Sequence, residues 1–366
     1  MMATAKKPKT ATTNGKLQDK AIKHAIFLER YKTLLAEEAV GFLNRDVFPD
    51  LLAKLEARLA NIRLRGVDTG WQTTQRYKQM VRDLGELLDD GASQLRTRMN
   101  LVLRELAKIE AKWQQKTFTE TIPKDVVAAV VPDKMVNLTT VQAIVQQPIQ
   151  GRVLGDWMQD LADTTKKRVE KQIGIGLASG ETADQMVQRV RGTKAAGYRD
   201  GVLEATRVEA QAIVRTASSH VSNQARQATY EAMADVIEGI QWVATLDTST
   251  CKICGPLDGQ VYDIGKVPPQ PAHFNCRCTT VPVLMSIDEI GKAKRVGEVS
   301  EGTRSAMDGD VPASVTYDEW IKNQPAAVQD QVFGAGRAKL YRDGKITTKD
   351  MVTRTGRTKT LAELQD

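Results

Sequence analysis

Cys251-Lys252-Ile253-Cys254 and, after an 18-residue insert, His273-Phe274-Asn275-Cys276-Arg277-Cys278 hold all four cysteines of this 366-residue chain and one of its three histidines. Cysteines spread by composition alone would not gather this way. Soft ligands crowded into so short a span mark a local knot, held by metal or by disulfides. Such a knot can pin two short strands without a large core. The flanking sequence supplies them: a strand over Gly239–Thr245, with Ile240, Trp242 and Ala244 on one face, and a returning strand over Thr279–Val283.

The Cys251-x2-Cys254 spacing lets two sulfurs meet one ion. Gly255 directly behind it permits a sharp turn. The second half offers His273, Cys276 and Cys278, three candidates for two places. In an extended strand, residues two apart point the same way, so Cys276 and Cys278 can face one site. His273 is then a spare, a supporting group or the replacement for one cysteine. Three states stay open: one structural zinc, disulfides in the finished assembly, or unligated thiols in a small core. A catalytic zinc keeps an open position beside an acid or base. Asp247, Asp258 and Asp263 lie near in sequence but form no recognisable arrangement, and H-E-x-x-H is absent. No small-molecule substrate and no enzymatic role are expected.

Outward from the knot, the pattern is helical. A helix is expected from Leu17 to about Leu64, broken near Asn44–Asp50 by Pro49, with a loop near Gly66–Gly70. The longest periodic stretch runs from Thr73 to Gln115, with Leu84, Leu88, Leu95, Val102 and Leu106 on its stripe. Gly85 and Gly91 could bend or break it. Pro123, Pro132 and the β-branched run near Val126 predict an extended connector. Helix resumes near Val153 and is capped by Gly174-Ile175-Gly176. Thr182-x-x-Gln185 reads as a capping box. An alanine-rich helix over about Tyr198–Ile237 carries Arg207, Arg215, His220 and Arg226. The fold class is therefore mainly α: long helices, a small β/cysteine-knot element near residues 239–284, and a small C-terminal helical module of two short helices about a glycine turn. The expected layout is a disordered basic tail (1–16), a helical region (17–120), an extended connector (121–148), a domain ending in the knot (149–285), a linker (286–312) and the C-terminal module (313–366).

Composition fits a soluble protein with a core: 41% hydrophobic, 27% charged and only 5% aromatic. The formal net charge is +7 and both termini are basic. Lys6, Lys7, Lys9 and Lys16 are the candidate nucleic-acid contacts, since clustered lysines neutralise phosphates without reading sequence; the bland alternative is a solvated tail. No run of about 18 apolar residues exists, so no membrane span is expected. The N-terminus lacks the apolar core of a secretory signal. Synthesis in a cytoplasm favours metal ligands or thiols over disulfides.

The run Trp242…Asp247-Thr-Ser-Thr-Cys251-Lys-Ile-Cys254-Gly-Pro-Leu257-Asp-Gly259, then Pro268-Pro269…Ala272-His273-Phe-Asn275-Cys276-Arg277-Cys278, resembles the signature of tailed-phage head morphogenesis proteins akin to the F protein of phage Mu. The resemblance covers about residues 150–285. It implies a minor head protein, present in few copies at the portal vertex or in the head interior, assembled in the host bacterial cytoplasm. It implies the portal protein and the major capsid or scaffold protein as partners, with phage DNA as a further one. The alternative is a DNA-binding adaptor or ejected internal head protein with a zinc-ribbon-like site. Some relatives carry ADP-ribosyltransferase toxins; this chain has no Glu-x-Glu pair.

Overall fold

A computed structural model describes residues 13–63, 75–132, 136–285, 303–312, 314–353 and 357–365. The chain is mainly α. It forms two compact units, one built from residues up to Arg30, Ala107–Val141 and Ser219 onward, the other from Tyr31–Leu106 and Gln142–Ser218.

Among the described residues, the regular elements of the second unit are all helices. It takes the later part of α1 (Thr13–Phe42), α2 (Phe48–Arg63), the first part of α3 (Gln75–Thr121), most of α5 (Leu138–Gln146), then α6 (Leu154–Ala178), α7 (Ala183–Arg191) and the start of α8 (Val202–Glu231). The break expected near Pro49 is instead a π-helical turn, Leu43–Val47, joining α1 to α2. Proline lacks an N–H, and its ring crowds the carbonyl four residues back. Widening the preceding turn is how a helix absorbs such a fault and continues. Helix α3 passes through Gly85 and Gly91 unbroken. Its buried face uses Met80, Leu84, Leu88, Leu95, Met99, Leu103 and Leu106. Val102, expected on that face, is only half-buried. The loop expected at Gly66–Gly70 lies outside the described residues.

Helix α6 also outruns its expected end. Gly174-Ile175-Gly176 is helical, and the stop comes at Gly180 with φ +68°. There Glu181 N–H bonds Gly176 O at 2.9 Å and Gly180 N–H bonds Leu177 O at 3.2 Å, which satisfies the last carbonyls. Gly176 is a contact residue: a Cβ there would lie 2.4 Å from Met186 Cγ. The capping box forms as read, with Gln185 N–H on Thr182 Oγ1 at 3.1 Å and Thr182 N–H on Gln185 Oε1 at 2.7 Å.

The first unit carries the knot. Its core joins Leu17 and Ile22 of α1, Phe118 of α3, Tyr230 of α8 and Ile237, Ile240 and Val243 of β1 (Ile237–Val243). β1 is the central strand of three. It is antiparallel to β2 (Val261–Tyr262), pairing Ile240 with Tyr262, and to β3 (Thr279–Leu284), pairing Trp242 with Thr280. Pro282 sits in β3, an edge strand, where a missing N–H is tolerated.

Three expectations for this unit change. The connector 121–148 is not extended: α4 (Lys124–Val130) follows Pro123, and α5 follows Asn137, whose Oδ1 accepts from Thr140 N–H at 2.8 Å. Val126, Val127 and Val130 pack on the core, and that burial outweighs the weak helix-disfavouring of β-branching. The linker 286–312 ends in a hairpin, β4 (Thr303–Ala306) with β5 (Gly309–Pro312); residues 286–302 lie outside the described residues. The turn is held by Asp308, which accepts from Trp320 Nε1 at 3.0 Å. Among its described residues the C-terminal module has three short α-helices, α9 (Tyr317–Lys322), α10 (Ala326–Phe333) and α11 (Ala335–Arg342), with the expected glycine turn at Gly334 between the last two. Of the expected tail 1–16, Thr13–Lys16 already belong to α1 and the rest lies outside the described residues.

Candidate metal centre

The five sequence-predicted ligands come together. Cys251 Sγ lies 3.1 Å and Cys254 Sγ 3.3 Å from His273 Nε2. Cys254 Sγ lies 3.9 Å from Cys276 Sγ. The ligand atoms form two triplets sharing Cys254: Cys251/Cys254/His273 and Cys254/Cys276/Cys278. Each triplet has all its atoms within 4.8 Å of one another, close enough to hold a metal ion. A tetrahedral zinc with thiolate and imidazole ligands separates those atoms by roughly 3.6–3.8 Å. The separations of 3.1, 3.3 and 3.9 Å fall within about half an ångström of that edge.

Local chain geometry builds the first half. After Val243 the chain turns, and Cys254 and Gly255 both donate backbone N–H groups to Cys251 O, at 3.1 and 3.0 Å. Cys254 N–H also points at Cys251 Sγ, 3.4 Å away. A 3-10 turn, Gly255–Leu257, follows with Pro256 inside it. Gly255 is needed for contact and not for a left-handed turn: a Cβ there would sit 2.6 Å from the Tyr317 ring. In the second half, His273 Nδ1 lies 2.7 Å from its neighbour's carbonyl, Phe274 O. In the neutral ring, donation there would leave the Nε2 lone pair facing the sulfurs, the orientation a ligating histidine takes. Asn275 has φ +59° and reverses the chain. Ser219 Oγ of α8 donates to Cys276 O at 3.1 Å. Cys254, Cys276 and Cys278 are buried against Trp242 and Ala244 of β1.

Charge at the cluster is shared. Hydrogen bonding to Cys254 and to His273 holds the Cys251 thiol down to about 4. The Cys251 contact lifts His273 to about 11. The Cys276 thiol is also pulled down, by Cys254, while Cys254 goes up against Cys251. A lowered thiol is a ready anionic ligand. No disulfide joins any of the four cysteines.

Three polar clamps frame the centre, and sequence reading did not find them. Arg277, between the two ligand cysteines, points the other way and grips Asp247 bidentately at 2.6 and 2.7 Å. Asp258 is fully buried and pairs with Arg304 of β4 at 2.9 Å. Its two oxygens also accept from the backbone N–H of Ala244 and of Tyr317, each at 2.7 Å. Arg226 of α8 donates to Glu110 at 2.8 and 3.0 Å, and also to the Thr279 hydroxyl at the head of β3. Burial would raise Glu110, but Arg226 and then His24 hold it down to about 2. Asp263 only pairs with exposed Lys266. Of the candidate nucleic-acid contacts, Lys16 is exposed on α1; Lys6, Lys7 and Lys9 lie outside the described residues. No helix among the described residues is long and apolar enough to cross a membrane.

The model of the family described as phage Mu protein F like protein matches residues 167–281, which contain the whole cluster. An uncharacterized protein of Haemophilus influenzae is 28% identical over 145 residues, 38% of this chain. The match spans 30% of that protein's own length. No solved structure matches.

Proposed function

From a chain that carries a phage Mu protein F like domain over residues 167–281, we propose a minor structural protein of a tailed-phage head, acting in head assembly through the portal vertex and in DNA packaging or delivery. The observation that carries the reading is the cluster within the matched segment. Cys251, Cys254, His273, Cys276 and Cys278 converge on one place, fastened to α8, the sheet and the C-terminal module. That geometry supports a clasp holding one structural zinc and a non-catalytic role. The zinc would join strand, turn and helix where too little apolar surface is available to do so. The portal protein and the major capsid or scaffold protein are the expected partners, in the virion. Mass spectrometry of purified particles tests the assignment: a few copies per particle, co-purifying with the portal, are expected. Particles of wild-type infectivity that lack the chain would overturn it. Elemental analysis after reducing purification should give about one zinc per chain; none, with the fold intact, would reject the clasp.

A DNA-binding adaptor or ejected internal protein is the second reading, supported by exposed Lys16 and the lysines before it. Changing Lys6, Lys7, Lys9 and Lys16 to Gln should then flatten the salt dependence of DNA binding by roughly three to four in log–log slope. An unchanged slope would discard it.

A further inference from the structure

A cavity of about 430 Å³ opens in the helical unit between α3, the end of α5 and the start of α6. Arg96, Asn100 and Arg104 line it from α3, where steps of four residues place them on one helix face. Leu101 and Val153 line it too, 61% and 42% exposed, together with buried Val145. Arg96 reaches across to α6: its Nη1 lies 3.3 Å from where a Cβ on Gly155 would stand. The turn joining α5 to α6 is fixed. Ile149 and Arg152 exchange backbone hydrogen bonds at 2.7 and 3.1 Å, and Trp157 Nε1 donates to Ile149 O at 3.0 Å. The two arginines are left over. Among the described residues neither side chain has an ion pair or a hydrogen bond, and no aspartate or glutamate lines the cavity. The acids nearest in sequence act elsewhere, Glu105 on Tyr31 and Asp156 on Arg152, which is itself paired with Asp160.

We propose that this cavity binds a small phosphate monoester, with Arg96 and Arg104 holding the phosphate and Leu101, Val145 and Val153 receiving an apolar organic part. The chemistry of the lining selects the ligand. A guanidinium meets phosphate oxygens in pairs through its planar fork of donors. Asn100, midway between the two arginines, adds an amide donor. Charge separates the kinds of phosphate. A monoester carries about −1.5 to −2 at pH 7, which two guanidiniums balance. A diester, the unit of a nucleic-acid backbone, carries only about −1 and leaves one of them unmet. Size argues for an organic part as well. The volume falls among small-ligand sites, about 300–1,000 Å³, and exceeds what a bare anion fills. The exposed leucine and valine beside the arginines are apolar surface that such a part would cover. This inference goes beyond the head-assembly reading and does not need the metal.

The test is calorimetric titration of the full-length protein with phenyl phosphate in a phosphate-free buffer. One saturable site per chain is expected. Inorganic phosphate and the diester methyl phenyl phosphate should each bind at least threefold more weakly. Arg96→Gln and Arg104→Gln should each weaken binding at least about tenfold, the loss of one charge-assisted hydrogen bond. Both side chains are exposed, so both variants should keep the fold, which thermal melting checks. Lys78→Gln removes the same charge from an exposed site on the same helix, about 27 Å from Arg96, and should leave binding within twofold. Three results would overturn the proposal: no saturable heat; wild-type binding in either arginine variant; or a loss in Lys78→Gln equal to theirs, the mark of diffuse attraction. Equal binding of the diester would overturn the monoester assignment in favour of a nucleic-acid backbone. Equal binding of inorganic phosphate would overturn the organic part.

Discussion

Replacing Arg304 by Ala should destabilise the first unit by about 3–5 kcal/mol, the range for orphaning one member of a buried ion pair. The figure follows from what Asp258 loses. Its side chain is 0% exposed, and its carboxylate accepts four hydrogen bonds, two from Arg304 at 2.9 and 3.1 Å and two from the backbone of Ala244 and Tyr317. Removing the guanidinium leaves a buried charge with half its donors and no counter-ion. Asp258→Ala should be similarly severe, because buried Arg304 then loses its counter-charge and both backbone N–H groups lose their acceptor. The double variant Asp258→Leu/Arg304→Met removes both charges and leaves only neutral groups unmet, the two N–H groups and the Ala244 and Val315 carbonyls that Arg304 also bonds, losses the singles already contain. It should therefore fall well short of the sum of the singles, with a coupling of at least about 2 kcal/mol. Urea titrations give the three differences. Hydrogen exchange at the Ala244 and Tyr317 amides locates the loss. Singles that each cost under about 1 kcal/mol, or a coupling within about 0.5 kcal/mol of zero, would refute the view that this pair holds β1, β4 and α9 together.

Cys254 belongs to both ligand triplets, so Cys254→Ser should abolish metal binding, whereas Cys278→Ser should retain metal if His273 completes the set; elemental analysis reads both. Gly176→Ala should lose about 1–3 kcal/mol by overpacking against Met186, reversing the gain of about 1 kcal/mol that the same change brings to an uncrowded helix; thermal melting gives the sign. His220 is pushed down to about 4 by burial, so its contribution is complete above the unfolded value of about 6.5 and lost as pH falls toward 4, by about 3 kcal/mol in all. The difference between the wild-type and His220→Asn denaturation midpoints, followed from pH 7 to 4, should shrink accordingly; a constant difference would contradict it.

What the chain revealed in advance was local. The capping box at Thr182, the helical stretch of α3 and the Cys251–Cys278 cluster are encoded within a few turns or one short loop, where spacing alone sets geometry. What it concealed was pairing at a distance. Asp258 and Arg304 are 46 residues apart, Glu110 and Arg226 are 116 apart, and nothing in either neighbourhood names the other. The misplaced helix ends share one cause. Gly176 and the valines of α4 have poor intrinsic helix preference, but they lie where a neighbouring surface rewards the helix, and packing outweighs propensities of about 1 kcal/mol or less per residue. Gly255 was read correctly as necessary and for the wrong reason, because a close ring leaves no sequence trace.

The clamps give the motif residues separate tasks. In Cys276-Arg277-Cys278, the alternation of an extended chain sends two sulfurs to the centre and the guanidinium to Asp247, four residues before Cys251. In Leu257-Asp258-Gly259, the acid between two turn residues reaches Ala244, Arg304 and Tyr317. Ser219 ties Cys276 to α8, and Arg226 ties α8 to the head of β3. The cysteine turn is thus a junction where α8, the sheet, the β4–β5 hairpin and the C-terminal helices are each fastened by a charged or hydrogen-bonded contact. A junction of this kind transmits disorder in both directions. If the cluster holds zinc, loss of ligation would free the 251–258 turn that carries Asp258, and loss of the Asp258 pair would free the turn that presents Cys251 and Cys254. Metal retention should therefore weaken in Arg304→Ala although Arg304 is no ligand, and the C-terminal helices should loosen in Cys254→Ser although they contain no cysteine.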